Sequence, residues 1–352
     1  MTDTLLTRLF LDAQDEFLAA VDHIPEPGRH GALGSLSAPG RVIAHMAWSQ
    51  DMWIQRFCAG AALDPWTADW WAAQMPTPDV EVAPPLDEAR EAFVRVAERA
   101  AAWVQAASRQ SLLGNADLTG TSYEAVPTAR AYMVARSIAH LFVHAGELSV
   151  IGAMVRADDL GLPGDLPRAS TPTDAVDWTV PIVAALLQDG YVELGRAAAV
   201  APQPAVTGAV DRFNPLSYTL LHVMNREDSL WNEQLNRRPP HWWLAETRGL
   251  LARDAGPRDT EIDWDTTLEM SAEVVHAAST WLQAVDDQTG ARRMMWGSRE
   301  SQVGAQLARS AGHVFSHASE MLAISSQFGT EDLGMPGALE HVREATSGWT
   351  QA

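Results

Sequence analysis

The chain has 352 residues, of which 47% are apolar, and a formal net charge of −20 at pH 7. This length allows two ordinary domains, and the acidic charge disfavours nucleic acid as a partner, because phosphate binding needs a basic surface. All 25 basic residues other than histidine are arginine, which excludes both Schiff-base catalysis by lysine and a Walker-type phosphate lysine.

Eight helical segments are predicted in chain order, four in each half. The apolar periodicity of the first half predicts helices at 4–21, 40–58, 86–110 and 127–155. The second half repeats this order at 174–200, 216–235, 265–287 and 298–328. Strand signals are scarce, and the stretch 166–173 has the Pro, Ser and Thr content of a connector. We therefore expect an all-α chain of two tandem four-helix bundles, residues 1–168 and 169–352, packed as a pseudo-dimer.

The last predicted helix of each half carries the same histidine motif. Residues 135–166 and 308–339 are identical at 15 of 32 positions, with a constant offset of 173 and no gap. Both contain H-x-x-x-H-x-x-E, which is His140, His144 and Glu147 in the first half and His313, His317 and Glu320 in the second. Positions i, i+4 and i+7 lie on one face of a helix. Two imidazoles one turn apart are typical metal ligands.

A third histidine occupies the same relative place in each half. His45 lies on the second predicted helix, 95 residues before His140, and His222 lies 91 residues before His313. Each is followed six residues later by an aspartate, Asp51 or Asp228. Because a bundle brings the inward faces of its helices together, three imidazoles can close on one ion and leave coordination positions open. That pattern is typical of a catalytic metal site.

This arrangement resembles the DinB-like (damage-inducible) superfamily of four-helix bundles. The likeness lies in a histidine on helix two, H-x-x-x-H on helix four, and tryptophan-rich segments after helix two (Trp66, Trp70 and Trp71; Trp242, Trp243 and Trp264). Its specific part is AHLFVHAGELSVIG followed by DLGLPG, and GHVFSHASEMLAIS followed by DLGMPG, so it extends over both halves. The resemblance implies metal ligands at His45, His140 and His144, and at His222, His313 and His317. Glu147 and Glu320 depart from the commonest superfamily pattern, and three roles stay open for these candidate catalytic residues: fourth ligand, orienting partner or general base.

The resemblance also implies a class of chemistry. DinB-like proteins include metal-dependent thiol transferases and an isomerase that use low-molecular-weight thiols such as bacillithiol or mycothiol. We therefore expect a divalent metal ion, zinc first and nickel or iron as alternatives, up to one per bundle, with such a thiol as a further cofactor. The first hypothesis is a metal-dependent transferase or isomerase that acts on a small molecule through a metal-held thiolate or water. The alternatives are a non-catalytic metal- or small-molecule-binding protein whose tandem bundles replace a homodimer, and a purely structural pair of bundles.

The remaining features give expectations about location and about single residues. Cys58 is the one cysteine, which excludes an intrachain disulfide and fits the cytoplasm, and we expect it in the core. We find no signal sequence and no stretch near the ~20 apolar residues that span a bilayer, so we expect no membrane partner and a monomer or dimer. Arg136 and Arg309 precede the first histidine of each pair by four residues, and we favour ion pairs with acidic side chains for both. The repeated loop, residues 159–164 and 332–337, is interpreted as a helix stop without chemistry.

Overall fold

The described part of the chain is mainly helical, which confirms the predicted all-α class. The computed structural model of the protein describes residues 3–74, 83–122, 124–155, 160–208, 213–251, 262–296 and 298–347. In chain order the α-helices are α1 (Leu5–His23), α2 (Pro39–Gln50), α3 (Pro65–Gln74), α4 (Leu86–Ala106), α5 (Arg109–Leu113), α6 (Arg130–Met154), α7 (Val180–Ala199), α8 (Gln203–Thr207), α9 (Leu216–Glu227), α10 (Trp242–Leu251), α11 (Trp264–Leu282), α12 (Val303–Ser326) and α13 (Glu340–Ser347). Within these residues, strand β1 (Arg293–Trp296) pairs antiparallel with β2 (Arg299–Gln302) in one small sheet.

Three predicted helix bounds differ from the structure for local reasons. The helix predicted at 86–110 is divided, because Ser108 accepts a hydrogen bond from the N–H of Ser111 and starts α5 as an N-cap. The helix predicted from residue 174 begins only at Val180, since Asp177 accepts hydrogen bonds from the backbone N–H groups of Leu5 (2.5 Å) and Thr179 (3.0 Å). The first residues of the segment predicted at 298–328 form strand β2 instead of a helical turn.

The long helices make contacts within each half of the chain and, through α6 and α12, between the halves. In the first half α1 packs along α6 and α2 along α4, and in the second α7 packs along α12 and α9 against α11. The buried apolar residues form one continuous core through both halves, and Cys58 lies in it, where burial raises the pKa of its thiol. The division into domains 1–168 and 169–352 stays a prediction.

The two halves of the chain meet where α6 packs against α12. A Cβ atom added at Gly146 would lie 2.3 Å from the carbonyl oxygen of Ser316, and one added at Gly312 would lie 2.9 Å from the ring of Phe142. Glycine at both positions therefore allows the helix axes to approach closely. By length and composition α6 would also pass as a membrane span, with a mean hydropathy of 1.3, contrary to the expectation from sequence. However, 72% of that window is buried inside the protein, which is typical of a core helix.

The second helix of each half ends in the same irregular way. π-helical turns, Asp51–Cys58 and Asp228–Leu235, continue α2 and α9. The carboxylate of Asp51 accepts a hydrogen bond from the backbone N–H of Asp64 (2.6 Å), and that of Asp228 accepts one from His241 (2.9 Å). Both N–H groups lie directly before the tryptophan-rich helices α3 and α10. The repeated aspartates therefore fix the start of these helices.

The first helix of each half holds the segment that follows its fourth helix. The carboxylates that do this are Asp12 and Glu16 on α1 and Asp189 and Glu193 on α7. On α1, Asp12 and Glu16 accept hydrogen bonds from the backbone N–H groups of Ala169 (2.7 Å) and Gly164 (3.0 Å), respectively. On α7, Asp189 and Glu193 accept them from Val342 (2.9 Å) and Gly337 (2.9 Å). Burial raises the pKa of all four carboxyls, and the hydrogen bonds act in the opposite direction. The repeated loop is therefore anchored at equivalent atoms in both halves.

Candidate metal centres and the adjoining cavity

The first triad consists of His45 on α2 with His140 and His144 on α6. The Nε2 atom of His140 lies 3.2 Å from Nε2 of His45 and 2.9 Å from Nε2 of His144. Bonds of about 2.0–2.1 Å from tetrahedral zinc place two ligand nitrogens roughly 3.3 Å apart. The triangle of nitrogens is thus close to the size that one ion requires.

The second triad repeats this arrangement with His222 on α9 and His313 and His317 on α12. Nε2 of His222 lies 3.2 Å from Nε2 of His313, and the ring centroids of His313 and His317 are 4.6 Å apart. In each triad the three candidate ligand atoms lie within 4.8 Å of one another. The structure therefore brings together all six histidines that the sequence singled out, three in each half.

Three triad imidazoles, the buried His140 and His313 and the partly buried His45, are in the charge state that a metal ion needs. Burial lowers the pKa of His45 to about 3 and holds the pKa values of His140 and His313 well below their usual range. Neighbouring histidines and arginines add to this effect by repulsion. These rings are consequently neutral at pH 7, and a neutral ring nitrogen has a lone pair for a metal.

Each glutamate of the motif contacts the far side of a triad ring. The Nδ1–H of His144 donates to Oε2 of Glu147 (2.7 Å), and that of His317 donates to Oε2 of Glu320 (2.5 Å). A proton on Nδ1 leaves the lone pair on Nε2, which in His144 lies 2.9 Å from Nε2 of His140. Of the three roles left open by the sequence, this geometry favours the orienting partner.

A cavity of about 850 Å³ lies beside the first triad. Glu147 and the three histidines line it, together with a wall of tryptophans from the end of helix two and from α3 (Trp53, Trp70 and Trp71). The ring of Trp53 lies 5.0 Å from that of His140, and Trp71 stacks on Trp48 at 3.8 Å. The volume is within the range of small-molecule sites, about 300–1,000 Å³.

The second half of the chain also lines this cavity, which the sequence did not suggest. Its lining residues are Ser319, Leu322, Ala323 and Ser326 on α12, followed by Thr330, Asp332, Gly334, Met335 and Pro336. Four of these belong to the repeated loop, for which the sequence predicts only a helix stop without chemistry. A spacing pattern within one helix carries no signal for this contact, because it depends on how α6 crosses α12.

Arg136 also differs from expectation. The favoured ion pair with an acidic side chain is absent among the contacts of the described residues. Its guanidinium instead donates to the backbone carbonyls of Pro336 (3.3 Å) and Gly337 and lies over the ring of Trp53, 5.3 Å from its centroid. Arg309, its counterpart, does approach a carboxylate, Asp165, at 4.0 Å.

Comparison with known proteins agrees with the resemblance for the first half. A family model described as the DinB superfamily matches residues 5–148. Neither the curated proteins nor the solved structures yield a match. The match includes His45, His140, His144 and Glu147, and it ends before the second half begins. Over residues 5–148, the chain is therefore similar to the DinB superfamily.

Proposed function

We propose that this protein is a metal-dependent enzyme, a transferase or isomerase that acts on a small molecule with a low-molecular-weight thiol as its cosubstrate. The observation that carries the proposal is the position of the first triad, where three histidines stand at the wall of a cavity large enough for an organic ligand. Structural zinc sites are almost always closed by four protein ligands, whereas catalytic sites use three and leave a position open. A cytoplasmic location and the absence of nucleic-acid and membrane partners remain part of this proposal.

The donor set fits a divalent ion, with zinc the first choice and nickel or iron the alternatives. His45, His140 and His144 would hold it, and it would supply Lewis-acid chemistry, the means to keep a thiol as thiolate or to lower the pKa of water. Glu147 orients His144 by accepting its Nδ1–H. Trp53 covers one side of His140 and, with Trp71 and its neighbours, offers an apolar surface to a substrate.

Metal analysis of the purified protein tests the first step of the proposal. We expect metal in the wild-type protein and its loss when His144→Ala and His317→Ala are combined, because each triad loses a ligand. The matched control combines His30→Ala and His276→Ala, which remove one exposed histidine from each half. Stoichiometric metal in the His144→Ala, His317→Ala protein would contradict the proposal.

Turnover separates the enzyme from the non-catalytic alternative. The metal-loaded protein is incubated with a low-molecular-weight thiol and a panel of electrophilic acceptors and isomerisable substrates. Loss of free thiol reports conjugation, and chromatography of the products reports isomerisation. Conjugation that disappears in the His144→Ala, His317→Ala protein supports the transferase. Full metal occupancy with no conjugation and no isomerisation across the panel favours the binding protein.

A further inference from the structure

The cavity beside the first triad has walls from both halves of the chain. The first half contributes the triad, Glu147 and the tryptophans of α3, and the second half contributes residues of α12 and the repeated loop. Leu322 and Met335 are the two large apolar side chains that the second half contributes. Met335 is 8% exposed and Leu322 is partly buried. Side chains held in this way have little freedom to move out of the path of a ligand.

Polar contacts across the junction hold the wall from the second half in place. The hydroxyl of Tyr132 donates to the carbonyl of Ala338 (2.6 Å), and Arg136 donates to the carbonyls of Pro336 and Gly337. Both donors lie on α6, within the same helix that carries His140 and His144. The loop is also held from its own half, since the N–H of Gly337 donates to Glu193. The distance between triad and loop is therefore set on both sides.

The rim of the cavity is joined across the halves as well. Ser35 lies 2.9 Å from the hydroxyl of Ser326 and accepts a hydrogen bond from the side-chain amide of Gln327 (2.9 Å). A Cβ atom at Gly34 would lie 2.0 Å from the amide oxygen of Gln327, and Gly34 has a positive φ of 60°. The loop before α2 thus fits closely against the end of α12, and the cavity has the second half as a built boundary.

We propose that the second half of the chain sets the size limit of the first triad's ligand site. Leu322 and Met335 act as specificity residues that decide how large a thiol or acceptor can reach His45, His140 and His144. The inference rests on the proposed function in that the triad is taken to bind a metal and a thiol. It goes further by assigning one half of the chain to the substrate pocket of the other.

Cobalt(II) binding and a pair of thiols of different size test this assignment in the full chain. The parent protein carries His222→Ala and His317→Ala, so that bound cobalt reports the first triad alone. The small probe is 2-mercaptoethanol and the large one is glutathione, and the thiolate-to-cobalt absorption band gives each affinity. The variants are Met335→Trp and Leu322→Trp. The matched control is Leu162→Trp, the position equivalent to Met335 in the first half's copy of the repeated loop.

We expect the parent to bind both thiols. In Met335→Trp and Leu322→Trp the affinity for 2-mercaptoethanol should be unchanged, whereas that for glutathione should fall about tenfold or more, as expected when a pocket rejects extra volume. Leu162→Trp should leave both affinities unchanged. Retained binding of the small thiol shows in each variant that the triad is intact.

Different contrary results would overturn different parts of the proposal. Unchanged glutathione affinity in both tryptophan variants would overturn the size limit. Equal loss of affinity for both thiols would do the same, and so would a parent that binds 2-mercaptoethanol but not glutathione. A parent that takes up no cobalt would instead overturn the metal site. Cobalt uptake without binding of either thiol would overturn the proposed thiol chemistry, and the inference with it.

Discussion

Replacing Glu147 by glutamine removes one negative charge beside the first triad while keeping a side chain of similar shape. In the structure Oε2 of Glu147 accepts the Nδ1–H of His144 at 2.7 Å, and the two side chains are 18% and 16% exposed. A hydrogen bond to a charged acceptor is roughly twice as strong as one between neutral groups. Losing such an outer partner typically lowers metal affinity about 10–100-fold, which corresponds to about 1.4–2.8 kcal/mol. Because this pair is largely shielded from water, we expect the upper part of that range for Glu147→Gln.

The assay is an equilibrium competition for zinc against a chromophoric chelator at neutral pH. The parent again carries His222→Ala and His317→Ala, so that a single site titrates. Glu320→Gln is the matched control, because the same charge is removed beside the second triad, which is disabled in this parent. We expect the control to leave zinc affinity unchanged.

The size of the loss distinguishes the three roles that the sequence left open for Glu147. An orienting partner gives the moderate loss described above. A direct fourth ligand would give a loss as large as that of His144→Ala. A general base would leave zinc affinity unchanged and reduce only turnover. Unchanged zinc affinity in Glu147→Gln would show that the hydrogen bond to His144 does not support the metal site.

Three further predictions concern stability. In the metal-free protein the pKa of His45 is about 3 in the folded chain and 6.5 in the unfolded chain, so the free energy of unfolding should decrease from pH 6.5 towards pH 3. Urea denaturation should show a shallower decrease in His45→Gln, and an equal slope would contradict this prediction. Asp51→Ala leaves the buried N–H of Asp64 without its acceptor and should cost about 1–3 kcal/mol, measured in the same way; a wild-type midpoint would argue against an anchoring role. Gly146→Val forces a side chain against the backbone of Ser316 and should destabilise the folded chain by about 1–3 kcal/mol, which a lower Tm would report. An unchanged Tm would show that α6 and α12 can separate freely.

The helices and the triads were accessible from sequence because both depend on local spacing. Residues i and i+4 share a helix face whatever surrounds them, so the pairs His140 with His144 and His313 with His317 followed from the motif alone. The third histidine required an internal comparison, which the two halves provided. The resemblance to the DinB superfamily is confirmed over residues 5–148. The metal itself and the catalytic roles stay predictions.

Other features depend on contacts between distant segments and could not be predicted from spacing. Asp12 and Glu16 are also i and i+4 on one helix, but their partners are backbone N–H groups some 150 residues away, which carry no sequence signal. Similarly, the carbonyls that receive Arg136 belong to the other half of the chain. An arginine near a metal motif can equally pair with a carboxylate, and only the path of the loop decides between these partners.

The repeated loop shows how one sequence feature serves both the fold and the cavity. Its glycines, Gly164 and Gly337, are identical in the two halves and donate to equivalent glutamates, so the repeat is kept where the loop is anchored. Of the loop residues that line the first cavity, Met335 is the one whose side chain differs from its counterpart, Leu162. Under the proposed size limit, a substitution in the second half can therefore change the ligand of the first half without altering any histidine of either triad.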